Sequence, residues 1–197
     1  VILEAKIRLM PVESAYLTVD YRRIDHLDNL LAQMSERDSQ CRYSVAWIDC
    51  LAGGKSLGRS VLMLGDHTSY TDLPAKLRGK PLIGPKKRKA TVPFFLPSFV
   101  LNPLSVKAFN AFHYARHSNR TAVVDYDSFF YPLDSVLQWN RLYGRRGFLQ
   151  YQVVLPPQSS QRGLTQMLEK LAASKRASFL AVLKSFGSGN DAMLSFP

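Results

Sequence analysis

The sequence has few residues that could form disulfides or metal sites. Its 197 residues include two cysteines, Cys41 and Cys50. Two are too few for a disulfide framework, and their spacing does not fit a metal site without further His or Cys nearby. No apolar run of about 18 residues occurs, and the charged beginning around Glu4, Lys6 and Arg8 does not fit a signal peptide. We therefore expect reduced cysteines, no membrane span and a cytoplasmic location.

The common cofactor and metal motifs are also missing. The sequence contains no Gly-x-Gly-x-x-Gly after a strand, no Walker A sequence, no His-Glu-x-x-His and no Cys-x-x-Cys. His113 and His117 are spaced i,i+4 on a predicted helix and could supply two metal ligands, but no third ligand accompanies them. We therefore favour solvated or packed histidines and expect no metal site.

Acidic residues are absent from one basic stretch within a chain of net charge +11. Its glycines and prolines, such as Gly79, Pro81, Gly84 and Pro85, indicate a loop. The charge calls for an anionic partner, whether nucleic acid, an acidic membrane surface or a phosphorylated substrate. Composition does not choose among these. Seven cations fall within fourteen residues: Lys76, Arg78, Lys80, Lys86, Lys87, Arg88 and Lys89.

Hydrophobic periodicity predicts an α+β fold. Runs of strand character are 1–12, 15–24, 41–50, 59–66, 120–126, 148–155 and 178–186. Helical spacing follows Asp25 and recurs over 103–118, 135–142 and 159–174. A long basic and aromatic loop at 72–102 shows no sustained period. Because strands and helices alternate irregularly, we predict one mainly antiparallel sheet with helices packed on one face.

One predicted strand, 148–155, has the character of a hydrogen-bonding surface. Alternation places Gln150 and Gln152 on one face and Leu149, Tyr151 and Val153 on the other. Two amides suit neutral hydroxyls such as those of a sugar. An exposed sheet face with no ligand is the alternative, and composition alone slightly favours it.

Lys184 shares its predicted strand face with Leu180, Val182 and Phe186. A lysine buried among apolar side chains needs a partner or an anion. A lysine near a strand end that reaches water is the equally weighted alternative. Trp47 has a similar ambiguity, since a tryptophan on a strand is more often part of the core than the wall of a ligand site.

Several ordered motifs resemble the flavin-dependent decaprenylphosphoryl-ribose oxidases of the vanillyl-alcohol oxidase superfamily. The resemblance runs from about Tyr43 to the end of the chain. The motifs are YSVAWID (43–49), FFYPLD (129–134), WNRLYG (139–144), GFLQYQ (147–152), KSFG (184–187) and LSFP (194–197).

The resemblance implies a substrate-binding (cap) domain over 1–197, with the FAD-binding domain absent from this chain. In the family, a ribose 2′-hydroxyl is oxidised to a ketone with hydride transfer to FAD, and a partner reductase completes the epimerisation. By position, Lys184, Gln152, Gln150 and Trp47 would line the pocket facing the flavin. Lys184 would be the catalytic residue, and Lys184 and Gln152 would lie at the flavin edge. Phe186 and Tyr131 would also contact the substrate.

In that family, the region of the 72–102 loop covers the substrate entrance. Here its cations precede an apolar run that includes Phe94, Phe95 and Phe99. A polyprenyl-phosphate sugar needs both features, because cations can bind its phosphate and aromatic side chains can contact its lipid tail. We therefore expect cations near the phosphate or an anionic bilayer, with peripheral contact at the inner face of the cell membrane.

Two other functions fit part of the sequence. Clustered Lys and Arg beside aromatics also describe a nucleic-acid-binding module, which we consider the weaker hypothesis. Another sugar or aldonolactone oxidase of the same superfamily would share the flavin chemistry but act on a soluble substrate. The apolar part of the long loop disfavours this second alternative only mildly.

Overall fold

The computed structural model describes residues 3–37, 39–85, 89–97, 99–176, 180–187 and 189–191. Within these ranges the strands are β1 Tyr16–Ile24, β2 Tyr43–Ile48, β3 Ser60–His67, β4 Ala90–Thr91, β5 Arg120–Asp125, β6 Val136–Leu137 and β7 Val182–Leu183. The helices are α1 Leu27–Arg37, α2 Ala75–Arg78, α3 Pro103–Arg116, α4 Tyr126–Phe130 and α5 Pro157–Ser174.

Five of these strands form one antiparallel sheet in the order β5-β1-β3-β2-β7. The short strands β4 and β6 form a separate parallel pair. This arrangement confirms the predicted α+β class with a mainly antiparallel sheet.

The β2–β3 connection contains Gly53, Gly54 and Gly58, and it is longer than two residues, as predicted. Gly58 has a φ of +68°, and a Cβ there would lie 2.8 Å from the Cβ of Leu27. Glycine is therefore required at this position.

The main hydrophobic core lies between one face of the sheet and two helices. Leu62 and Leu64 of β3 contact the apolar side of α1, where Leu27 and Leu30 are fully buried. Leu168 of α5 closes the same core. Each of these side chains contributes about 1.5–3 kcal/mol by leaving water. The helical periodicity that predicted α1 and α5 therefore reflects their packing on this covered face.

Two predicted strands are not formed. Residues 3–12 are extended and exposed but belong to no strand. The segment 148–155 is likewise outside both sheets in the described structure. Alternating apolar residues satisfy the sequence pattern of a strand, but a strand also needs a neighbouring backbone, which the pattern cannot supply. The predicted last strand is shorter than expected: it spans Val182–Leu183, and residues 177–179 lie outside the described ranges.

The predicted helix at 135–142 is also wrong. Two 3₁₀ turns, Pro132–Ser135 and Trp139–Tyr143, flank β6 there. Long-range hydrogen bonds explain the difference, because the Arg141 side chain donates to the carbonyls of Val92 and Pro93 at 3.0 and 2.8 Å. The backbone carbonyl of Arg141 also accepts from the N–H of Leu96 at 2.9 Å. These contacts tie the segment to 92–96 rather than to a helix of its own.

Candidate functional site

The second face of the sheet is only partly covered, and we call it the open face. Residues paired across the strands point to the same side of a sheet, so the register defines its members. They are Leu17, Val19, Tyr21, Arg23, Tyr43, Val45, Trp47, Val61, Met63, Gly65, His67, Arg120, Ala122, Val124 and Val182.

Helix α3 covers one end of the open face. The His113 ring lies 4.5 Å from the Trp47 ring, centroid to centroid, and Trp47 is only 6% exposed. Val182 of β7 lies opposite Trp47. The structure therefore places Trp47 on the predicted sheet face, as a buried side chain beneath α3.

A buried polar network fastens α3 to this end of the sheet. Asp49 is 1% exposed, and its carboxylate accepts from Arg59 at 2.7 and 2.9 Å and from the Asn110 amide at 2.8 Å. The Asn110 oxygen is buried and has no hydrogen-bond partner within the described residues. A buried carboxylate needs such partners. Sequence reasoning missed this network because its members are 10 and 61 residues apart.

An aromatic cluster covers the other end of the open face. The Tyr43 hydroxyl lies 3.1 Å from His67 Nε2, and the Tyr43 ring contacts Phe130 at 4.9 Å between centroids. Burial lowers the pKa of His67, helped by Arg42 and opposed by Asp66. The ring nitrogen Nδ1 of His67 is buried without a partner in the described part of the chain.

Tyr131, a predicted substrate contact, lies beside this cluster. It is exposed, and its ring centroid is 6.3 Å from that of Phe130. The structure therefore brings Tyr131 close to the open face, where an incoming ligand could reach it.

Between the two ends, a row of half-buried side chains crosses the open face. Tyr21, Met63 and Val45 lie side by side on β1, β3 and β2. The Arg120 guanidinium lies 5.5 Å above the Tyr21 ring. Burial raises the pKa of the Tyr21 hydroxyl, while Arg120 acts in the opposite direction. This row is a largely apolar surface with a cation at its β5 edge.

The i,i+4 histidines on α3 are packed against aromatic rings. His113 lies against Trp47 and Phe109, and His117 Nδ1 lies 2.7 Å from the His113 carbonyl oxygen. Burial lowers the pKa of His113 to about 4, with His117 and Arg116 adding to the effect. No group of three potential His, Cys, Asp or Glu ligands occurs among the described residues.

Lys184 follows β7 directly and is exposed to solvent. Val182, two residues earlier, lies opposite Trp47, so Lys184 lies just beyond the strand that borders this part of the sheet. Phe186 is 43% exposed. The lysine is therefore not buried among apolar side chains, which agrees with the alternative of a strand-end lysine in water.

Gln150 and Gln152 are exposed, and they lie outside the five-stranded sheet. The alternate side chains of this segment line a groove of about 510 Å³ along α5. They are Tyr151, Val153 and Leu155. The predicted alternation is therefore present, but its apolar side faces a helix rather than a sheet core. The structure leaves the two glutamines in a segment separate from Trp47.

A second groove, of about 360 Å³, lies between α1, α5 and the β2–β3 connection. Its lining includes His26, Asp28 and Glu169. None of the predicted site residues borders it, so we do not assign the candidate site there. No helix in the described ranges is long and apolar enough to cross a membrane.

The fold and the open face define an α+β domain with one aromatic sheet surface available to a ligand or another domain. No protein-family model matches the chain. Along its whole length it is 34% identical, over 199 residues, to decaprenylphosphoryl-beta-D-ribose oxidase of Mycolicibacterium smegmatis. It is 28% identical over 209 residues to a Streptomyces coelicolor protein described as an uncharacterized protein in the mprA 5′ region.

The chain spans about half the length of these curated relatives, 43% and 55% respectively. The similarity also covers the residues before Tyr43, where the motifs of the sequence resemblance begin. The chain is therefore related over its whole length to part of an oxidase.

Proposed function

We propose that this chain is the substrate-binding domain of an FAD-dependent oxidase that converts a sugar hydroxyl to a ketone. The observation that carries the proposal is its full-length similarity to an oxidase of decaprenylphosphoryl-β-D-ribose. The substrate class we propose is accordingly a polyprenyl-phosphate sugar, and a reductase would act on the ketone.

The open face supports this role through its shape and chemistry. Its central row of Tyr21, Val45 and Met63 offers half-buried, largely apolar side chains against which a planar ring or a sugar can lie. Lys184 follows the strand that pairs with Trp47, and it is free to reach a hydroxyl from the edge of that surface. We assign Lys184 the role of polarising the reacting alcohol, with Tyr131 and Phe186 as neighbouring contacts.

The glutamines complete the proposed site by holding hydroxyls. Gln150 and Gln152 are exposed on one side of an extended segment, and each amide can donate and accept. Their use requires the segment 148–155 to lie beside the open face when substrate is bound. Trp47 contributes as the packed support at the β7 end of that face.

FAD, when bound, supplies the acceptor for the hydride removed from the carbinol carbon. In this proposal the ring system of such a group lies on the row of Tyr21, Val45 and Met63, with Lys184 near its edge. Gln152 reaches the flavin edge only when segment 148–155 lies beside the open face. The described residues offer no glycine-rich loop at a helix N-terminus for the dinucleotide phosphates. Because the chain spans 43% of the oxidase that it resembles, we propose that a second domain of the same polypeptide holds most of the cofactor.

Substitution of Lys184 tests the proposed reaction. In a polypeptide carrying both domains, Lys184→Met should lower the rate of sugar-dependent flavin reduction about 100-fold, as loss of one preorganised donor does. Lys184→Arg should recover part of the rate. Lys55→Met, an exposed lysine in the β2–β3 connection, is the matched control and should leave the rate unchanged. Equal rates for all the variants would remove Lys184 from the site.

The substrate class needs a separate measurement. Flavin reduction by a polyprenyl-phosphate ribose should be faster than reduction by a soluble sugar or aldonolactone at equal concentration. The opposite order would identify an oxidase of soluble sugars and would overturn the proposed lipid-linked substrate.

A further inference from the structure

Helix α3 carries an apolar stripe on the side that faces away from the sheet. Its inner side packs on the sheet through Val106 and Asn110, which are buried. A surface helix normally presents charged or polar residues on the side away from its packing partner. Here the outer side is a stripe of uncharged, exposed side chains at helical spacing: Leu104, Ala108, Ala111, Phe112 and Ala115.

The outer stripe exposes large side chains to water. Leu104 is 79% exposed and Phe112 is 65% exposed. Phe99, just before the helix, is also exposed, and its carbonyl accepts from the Asn102 side chain at 2.9 Å. Asn102 caps α3, so this hydrogen bond holds the phenylalanine segment against the start of the helix. A contiguous apolar surface of this kind usually marks a contact with a partner or a membrane.

The stretch of sequence that contains the stripe carries only positive charge. No acidic residue occurs between Asp72 and Asp125, whereas ten Lys and Arg residues do. On α3 itself, Lys107 and Arg116 are exposed beside the apolar stripe. Neither forms an ion pair within the described part of the chain. An apolar stripe flanked by cations matches a surface with an apolar interior and anionic headgroups.

We propose that the outer stripe of α3 docks the protein onto an anionic lipid bilayer. The helix has 14 residues, so at 1.5 Å per residue it lies along about 21 Å of membrane surface. Leu104 and Phe112 enter the boundary between headgroups and acyl chains. Lys107 and Arg116 stay at the headgroups, and Phe99 extends the contact beyond the start of the helix.

Other occupants fit the same surface less well. A second copy of the chain would bring two α3 helices together, each with exposed cations and no acidic residue, which like-charge repulsion opposes. A nucleic acid would neutralise the cations but would leave Leu104 and Phe112 in water. The bilayer is the partner that uses both the apolar stripe and the charge.

Vesicle flotation with the purified protein tests this proposal. Binding to phosphatidylcholine vesicles that contain phosphatidylglycerol should exceed binding to pure phosphatidylcholine vesicles. Leu104→Gln and Phe112→Gln should each weaken binding to the anionic vesicles about tenfold, because each removes an apolar side chain that the bilayer would bury. Lys107→Gln should weaken binding about fivefold, the equivalent of about 1 kcal/mol per cation.

Matched controls separate the stripe from general hydrophobicity and charge. Leu9→Gln removes a leucine that is 83% exposed, and Lys170→Gln removes an exposed lysine on α5. Both should bind vesicles as the unchanged protein does. Equal binding to neutral and anionic vesicles overturns the proposal. A concentration-dependent dimer that Phe112→Gln abolishes would also overturn it, because the stripe would then bind a second copy. Retention on nucleic acid that Leu104→Gln and Phe112→Gln do not affect would likewise overturn it.

Discussion

Gly65 leaves space on the open face of β3, and the ring of Phe129 occupies that space. A Cβ at Gly65 would lie 2.9 Å from Phe129 Cζ and 3.0 Å from its Cε2. Phe129 is buried and joins Leu17 and Val19 in the second hydrophobic cluster. The position of α4 over the sheet therefore depends on a glycine in a strand, where a missing side chain permits close approach.

Gly65→Ala should lower the free energy of unfolding by about 1–2 kcal/mol, because the added methyl group overpacks the contact with Phe129. Urea denaturation followed by circular dichroism measures the change. Gly79→Ala is the matched control. Gly79 has a φ of −64°, and a Cβ there has nothing within 4 Å, so the control should be neutral or slightly stabilising. Equal effects of the two substitutions would contradict the packing described for α4.

For the candidate site residues, the sequence could predict the sheet face of a side chain but not what covers it. Strand alternation correctly placed Trp47 on one sheet face with Tyr43 and Val45. It could not show that Trp47 would be covered by His113, because that contact joins elements far apart in sequence. The roles of Lys184 and Gln152 stay predictions, since they depend on a ligand and a second domain.

At the scale of the element, α3 shows how local and distant signals combine. Pro103 predicted its beginning, and the structure adds an Asn102 cap whose side chain accepts from the N–H groups of Leu104 and Ser105 at 2.8 and 3.0 Å. Its docking depends on two distant contacts, Asn110 with Asp49 and His113 with Trp47. The helix was therefore predictable from its own residues, whereas its location on the open face was not.

The docking of α3 should make stability depend on pH. Burial holds the pKa of His113 at about 4 in the folded protein, against 6.5 in the unfolded chain. Because the folded pKa is depressed, the unfolded state binds the proton first as the pH falls. The stability that neutral His113 contributes is complete above pH 6.5, and it is lost progressively as the pH falls from 6.5 to about 4.

From about pH 7 to about pH 5, His113 should account for roughly 1 kcal/mol of lost stability, after discounting for the part of the ring that water reaches. Urea denaturation at the two pH values, compared between the unchanged protein and His113→Gln, isolates this contribution from that of the carboxylates. The variant should lose less stability on acidification. An identical loss in both proteins would show that His113 is not coupled to folding.

For the whole molecule, the two faces of the sheet have different roles. The covered face holds the larger hydrophobic cluster with α1 and α5. The open face is closed at one end by α3 and at the other by α4, with half-buried side chains between. Both faces therefore stabilise the fold, and the open face keeps a half-buried central row between its two covered ends.

Amide hydrogen exchange should follow this organisation. β1 and β3 are paired on both sides, so their amides should exchange only through opening events close to global unfolding. Residues 3–12 and 148–154 have no backbone hydrogen bonds in the described structure and should exchange almost as fast as an unfolded peptide. Strong protection over 148–154 would show that this segment joins a sheet in solution, as its alternation predicted.

Several features followed from the sequence alone. Periodicity located α1, α3 and α5 and the strands β1, β2, β3 and β5, because side-chain spacing within a segment is a local property. Composition showed the basic, acid-poor region and the lack of metal motifs. Motifs pointed to an oxidase family, and the full-length similarity to one oxidase agrees with that direction.

Other features depended on tertiary structure. Local alternation was the same in β1, which became a central strand, and in 148–155, which borders a groove along α5 and stays largely exposed. The tertiary structure also decided that Trp47 is buried, that Lys184 is exposed and that α3 has an apolar stripe facing outward. The physical reason is that strand pairing and burial are set by partners distant in sequence, whereas a periodic pattern describes only the segment that carries it.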